Sequence, residues 1–172
     1  NKTTPAAFTN EFRFAGFTVT KSVVSAALDA NGKPIAYDPA SFTASCLFKG
    51  AEVLTNPSDR AFTLADKQSH SFAGLPSGAA CTVTETGTAG AASTEVTITQ
   101  DAASSTTTAT TAKFNLVPGT STATKVGFAN HYTVGSLAIT KTVDGTGAAR
   151  WGGGNFGVRV ICSLSQANPD QV

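Results

Sequence analysis

Three polar residues stand where the surrounding pattern calls for apolar ones. In Phe17-Thr18-Val19-Thr20-Lys21-Ser22-Val23 apolar and hydroxyl residues alternate, which predicts a strand with Lys21 on the face of Phe17, Val19 and Val23. Cys81-Thr82-Val83-Thr84-Glu85 alternates likewise and sets Glu85 beside Cys81 and Val83. In the stretch from Thr124 to Tyr132, Asn130 shares a face with Val126, Phe128 and Tyr132. If those apolar faces make a core, an amine, an acid and an amide point into it. Burying an unpaired charge is costly, so the three should meet one another.

That meeting has a chemistry. A lysine desolvated among aromatic rings loses basicity and becomes a neutral nucleophile. A carboxyl in the same pocket holds its proton more tightly and can move protons. Beside an asparagine amide, the pair can drive attack of the amine on the carbonyl, expel ammonia and leave a Lys21–Asn130 crosslink. This happens once per molecule and is not turnover. Other readings of the same residues stand beside it: Lys21 can snorkel to water, Asn130 can cap a turn, and Glu85 can simply pair with Lys21.

The elements that would hold these residues are strands. The chain has 172 residues, 41% of them hydrophobic, and no window carries apolar residues at helical spacing. Candidate strands run from Phe17 to Val23, Phe42 to Phe48, Ala61 to Ala65, Cys81 to Thr86, Thr94 to Thr99, Lys113 to Val117 and Thr124 to Tyr132. Leu75-Pro76-Ser77-Gly78 and Pro118-Gly119 read as turns. The Ser/Thr-rich stretch from Ala102 to Thr111 fits a strand or a loop. Seven short strands over about 120 residues predict an all-β, immunoglobulin-like sandwich.

The pattern also repeats. Phe8-Thr9-Asn10 followed by the Lys21 strand is echoed by Phe128-Ala129-Asn130 followed by Leu137-Ala138-Ile139-Thr140-Lys141. Asn10 and Asn130, and Lys21 and Lys141, are separated by the same step of about 120 positions. Cys46 recurs as Cys162 at a slightly shorter step, a difference a loop absorbs. Residues 1–13 therefore read as the C-terminal strand of a preceding repeat, 14–133 as a complete sandwich, and 134–172 as the beginning of a following one. The junction at Thr133-Val134-Gly135-Ser136 is short, which favours a stiff rod.

Several function classes lose support. Only 13% of residues are charged and the net charge is +1, so nucleic acid and anionic membranes have no electrostatic footprint to bind. No apolar run is long enough to span a bilayer. The polar opening Asn1-Lys2-Thr3-Thr4-Pro5 reads as a mature or excised segment. No G-x-S-x-G, P-loop, H-E-x-x-H or G-x-G-x-x-G motif is present. His70 and His131 are isolated and no C-x-x-C pair exists, so neither a metal nor a cofactor is expected.

In order and spacing these motifs resemble the Cna-B-like, immunoglobulin-like repeats of Gram-positive, particularly actinobacterial, cell-surface adhesins and pilins. The segments that carry the resemblance are Phe8 to Phe12, Phe17 to Val23, Leu75 to Glu85, Phe128 to Tyr132 and Leu137 to Val143. The resemblance implies an isopeptide bond between Lys21 and Asn130 assisted by Glu85, with Asn10 serving the preceding repeat and Lys141 the following one. The cysteines depart from that pattern. In an extracellular setting Cys46 and Cys81 read as one disulfide per repeat, with Cys162 unpaired in this segment. Two free core thiols are the alternative.

The function this implies is a structural stalk or fibre repeat at the cell wall or cell surface, not an enzyme, whose partners are neighbouring repeats and like chains in a filament. Two other roles fit the same residues. One is an adhesin repeat that itself holds glycan or host protein, with Tyr37 and Trp151 as aromatic candidates. The other is a subunit that polymerises into an extracellular filament.

Overall fold

The computed structural model describes residues 7–29 and 31–161. Ten strands form in the order β1 (Phe14–Val24), β2 (Ala40–Phe48), β3 (Ala51–Glu52), β4 (Ala61–Leu64), β5 (Ser69–Pro76), β6 (Ala80–Gly87), β7 (Ser93–Gln100), β8 (Ala103–Thr108), β9 (Thr111–Asn115) and β10 (Thr124–His131). One sheet has the order β5-β1-β10-β7-β8 and the other β3-β2-β6-β9, with β4 also on β2. The two sheets form a sandwich. Phe17, Val19, Phe72, Val96, Val126 and Phe128 of the first sheet and Phe42, Val83 and Phe114 of the second belong to one buried cluster. Phe17 stacks on Phe72 at 4.1 Å between ring centroids and meets Phe114 edge-on at 5.2 Å. Such offset and edge contacts add to the gain from area burial.

One pairing sets the architecture. β1 and β10 lie side by side in parallel, with Lys21 opposite Phe128 and Val23 opposite Asn130. Because they run the same way, the chain enters the sandwich at one pole and leaves at the other. Near its start β1 shifts register between Ala15 and Phe17. Gly16 sits at that bulge because a Cβ there would overlap the Phe72 carbonyl and the backbone of Ser121.

Three local features go beyond what the sequence alone indicates. Leu75-Pro76 is not only a turn but the end of β5, a strand whose Ser, Ala and Gly content blurs its alternation. β5 forms because β1 supplies its ladder, and it lies at a sheet edge, where a proline is tolerated. The Ser/Thr-rich stretch is an edge strand, β8, tied to β7 by Thr97–Thr106 and Thr99–Ser104 hydroxyl pairs at 2.8 and 2.6 Å. Two single helical turns also occur, α1 (Pro57–Arg60) and α2 (Ala148–Trp151). α1 begins where the Asn56 side chain accepts from the Ser58 N–H, with Pro57 in the first turn, as caps prefer.

Outside the sandwich, residues 7–13 and 132–147 form no strand. Phe8, Phe12, Leu137 and Ile139 are exposed there. A strand exists through its partner's ladder, and beyond single backbone bonds at Arg13 and Tyr132 these segments have none among the described residues.

Candidate functional site

The site lies inside the sandwich, toward the pole where β10 ends. Lys21 comes from β1, Glu85 from β6 in the facing sheet, and Asn130 from β10. Their exposures are 3%, 3% and 0%. Each is carried inward by the alternation of its own strand, so their shared burial follows from the faces read in the sequence.

One oxygen joins the three. The Asn130 amide Nδ2 donates to Glu85 Oε1 at 2.6 Å, and Lys21 Nζ lies 3.8 Å from the same oxygen. Lys21 Nζ donates to the Ser22 carbonyl at 2.8 Å. Asn130 Nδ2 also donates to the Thr88 carbonyl at 3.1 Å, where the Tyr132 hydroxyl donates too at 2.9 Å. On the other side of the amide, the Thr94 hydroxyl donates to Asn130 Oδ1 at 2.9 Å. Thr94 stands directly opposite Asn130 in the β7–β10 ladder.

Lys21 does not snorkel to water, and Asn130 caps no turn, being a ladder residue of β10. A Lys–Glu contact of 3.8 Å is long for a charge-assisted bond, which closes to about 2.7–2.9 Å.

Burial pushes the Lys21 pKa below its ordinary value, against the opposing pull of Glu85 and Asp66. Burial also pushes the Glu85 carboxyl up, against the opposing pull of the nearby Lys21 and the hydrogen bond from Asn130. Glu85 Oε2 has no hydrogen-bond partner among the described residues. An ionised carboxylate would leave charge on that oxygen uncompensated, whereas a neutral acid does not. Burial therefore acts against the charged form of both groups, lowering the amine and raising the acid.

Elsewhere in the sandwich, Cys46 and Cys81 are joined in a disulfide, and they stand directly opposite one another on β2 and β6. The turn before β6 bonds to the residue just ahead of β1 through Ser77 N–H to the Arg13 carbonyl, so the disulfide lies toward the opposite pole from Asn130.

The remaining candidates are dispersed. Asn10 is exposed, and Lys141 donates to the Thr142 carbonyl at 3.0 Å and sits 4.2 Å over the Phe156 ring. Cys162 and the side chain of Trp151 lie outside the described residues. Tyr37 packs on Tyr132 at 3.7 Å between ring centroids and bonds the Ser25 hydroxyl, so it is occupied in packing. His70 pairs with Asp59 and stacks on Phe62.

Thr94 and Thr88 were not singled out from sequence. Thr94 could have been: it alternates with Val96 and Ile98, and so is a fourth polar residue on an apolar face. It escapes notice because threonine is ordinary in strands. The Thr88 contribution is a backbone carbonyl in a loop, which no side-chain pattern announces.

Fold and interior define a disulfide-bonded β-sandwich domain with a buried amine–acid–amide cluster. The chain belongs to the family described as "Domain of unknown function (DUF5979)", whose model matches residues 17–133. No curated protein matches it. Among solved structures it is similar to a bacterial adhesin from Mobiluncus mulieris containing intramolecular disulfide, isopeptide and ester bond cross-links. Identity is 20%, the TM-score is 0.51, and the match covers 71% of this chain and 42% of that one. It is also similar to the pilus-presented adhesin Spy0125 (Cpa), at 19% identity and TM-score 0.45 over 68% of this chain and 26% of that one. The major pilin from Streptococcus pyogenes follows at 18% identity and TM-score 0.34, over 70% and 48%. The chain spans less than half the length of each, and the likeness to the Mobiluncus adhesin is one of fold. No helix among the described residues is long and apolar enough to cross a membrane.

Proposed function

We propose that residues 14–133 are one load-bearing repeat of an extracellular surface stalk, closed by the disulfide and by a Lys21–Asn130 isopeptide bond. Residues 1–13 and 134–172 belong in this reading to neighbouring repeats, where Asn10 and Lys141 play the corresponding parts. The observation that carries the proposal is the convergence of Lys21 Nζ and Asn130 Nδ2 on a single buried oxygen of Glu85.

The reaction balances with these groups alone. Neutral Lys21 Nζ attacks Asn130 Cγ and forms the N–C bond. Glu85 gives its proton to Nδ2, which leaves as ammonia when the C–N bond breaks. The carboxylate so formed takes a proton from the attacking nitrogen. The products are an amide and free ammonia, with Glu85 again protonated.

The topology supports the stalk role. Tension applied at Phe14 and His131 pulls the parallel pair β1 and β10 in opposite directions, so their ladder is loaded in shear. A bond from Lys21 to Asn130 would carry that load directly from one strand to the other. Residues 22–129 would then lie outside the path of the force. The test is intact mass of the wild-type chain and of Glu85→Ala. The wild type should be about 17 Da lighter than its disulfide-bonded sequence, and the variant should not. A wild-type mass with no such deficit sinks the proposal.

A further inference from the structure

The amide is the difficult partner in this reaction. Resonance makes its carbonyl carbon a weak electrophile, and attack places negative charge on Oδ1. Something must hold that charge in a buried interior. We infer that Thr94 is a further catalytic residue of the crosslinking reaction, its hydroxyl bonded to Asn130 Oδ1 and stabilising the oxyanion, while the Thr88 carbonyl fixes the departing nitrogen. The inference rests on the reading that Lys21 and Asn130 join.

The geometry is that of a preorganised donor. Thr94 Oγ1 is 2.9 Å from Oδ1, and Thr94 is 4% exposed. Its position is set by the β7–β10 register, which places it directly across from Asn130. A β-branched side chain on a strand has few rotamers, so little reorganisation accompanies charge build-up. In a low-dielectric site such a donor strengthens as the oxygen becomes anionic. The two ends of the amide are thus held differently: a hydroxyl donor on oxygen, and two acceptors, Glu85 Oε1 and the Thr88 carbonyl, on nitrogen. That arrangement blocks amide rotation and keeps Nδ2 against the acid that must protonate it. During the step the C=O electron pair moves onto Oδ1 as the N–C bond forms, and returns when ammonia leaves.

Thr124 supplies an internal control. It too is a fully buried threonine on the apolar face of β10, and its hydroxyl accepts from Gln100 Nε2 at 3.1 Å. It sits at the other end of the strand, away from Asn130.

The experiment follows ammonia loss by intact mass after chains synthesised without cells are held in urea and refolded by dilution. Near-UV circular dichroism reports folding independently. Thr94→Val keeps the shape and removes the donor, and should slow linking by about 100-fold, the low end for loss of an oxyanion donor. Thr94→Ser should link within a few-fold of wild type, and Thr124→Val at the wild-type rate. Should Thr94→Val not fold, Thr94→Ala replaces it under the same criterion. Linking of the donor-less variant at the wild-type rate overturns the role of Thr94 and leaves the Lys21–Asn130 reading intact. So does Thr94→Ser linking as slowly as Thr94→Val, because the methyl and its packing would then be what matters. A wild-type chain that folds and loses no ammonia overturns both readings together.

Discussion

Replacing Lys21 by methionine removes the amine and keeps an unbranched apolar stem of similar length. In the folded chain the proposed bond ties residues about 110 positions apart, and closing a loop of that size stabilises a domain by about 4.7 kcal/mol in the chain-entropy model. The swap itself is gentle. Methionine fills the space among the neighbours of Phe17 and Val19, and a volume-conserving change costs less than about 1.5 kcal/mol. Glu85 can stay neutral beside Asn130, since burial already raises its pKa. The net loss should therefore be about 4–5 kcal/mol, nearly all of it from the lost crosslink. For a domain of about 120 residues, at roughly 4 °C per kcal/mol, the melting temperature should fall by about 15–20 °C. Scanning calorimetry on protein whose mass has been measured is the assay. A wild type that carries the ammonia deficit but melts within about 5 °C of Lys21→Met would refute the loop-entropy reasoning.

The remaining predictions concern protons, sulfur and force. The linking rate should be bell-shaped in pH, because the reactive pair holds one proton between amine and acid. Acid adds a second proton and quenches the amine, while base removes the last one and leaves nothing to protonate the departing nitrogen. The acid limb should follow the Lys21 amine, which burial makes easier to deprotonate, and the basic limb the Glu85 carboxyl, which burial makes harder to ionise; a rate that only rises with pH and shows no basic limb would count against the scheme. The double variant Cys46→Ala, Cys81→Ala should lose roughly 3–4 kcal/mol in urea titration, as expected for opening a loop with a sequence separation of 35. Under single-molecule tension, the wild-type repeat should show no unfolding step. Lys21→Met should lengthen by roughly 25 nm with the disulfide intact, and by about 12 nm more once it is reduced. A full-length extension of the wild type would remove the mechanical role.

Much of the site was legible because strand periodicity is local. Lys21, Glu85 and Asn130 each betray themselves by occupying an apolar beat of their own strand, and desolvation then demands that such groups meet. The same rule marks Thr94. β5 was harder, since Ser69, Ser71, Ala73 and Gly74 dilute the signal from His70, Phe72 and Leu75, and its strand state comes from pairing with β1.

Residue order thus determined which face each side chain takes, that the chain is built of strands, and which polar groups would be buried. Only the tertiary structure decided who meets whom. It made β1 and β10 parallel neighbours, put β6 across from them, set Cys46 against Cys81, and aligned Thr94 with Asn130. The reason is physical. Alternation is dictated by the geometry of a single strand, two residues at a time, whereas pairing and register are settled by the packing of segments far apart in sequence.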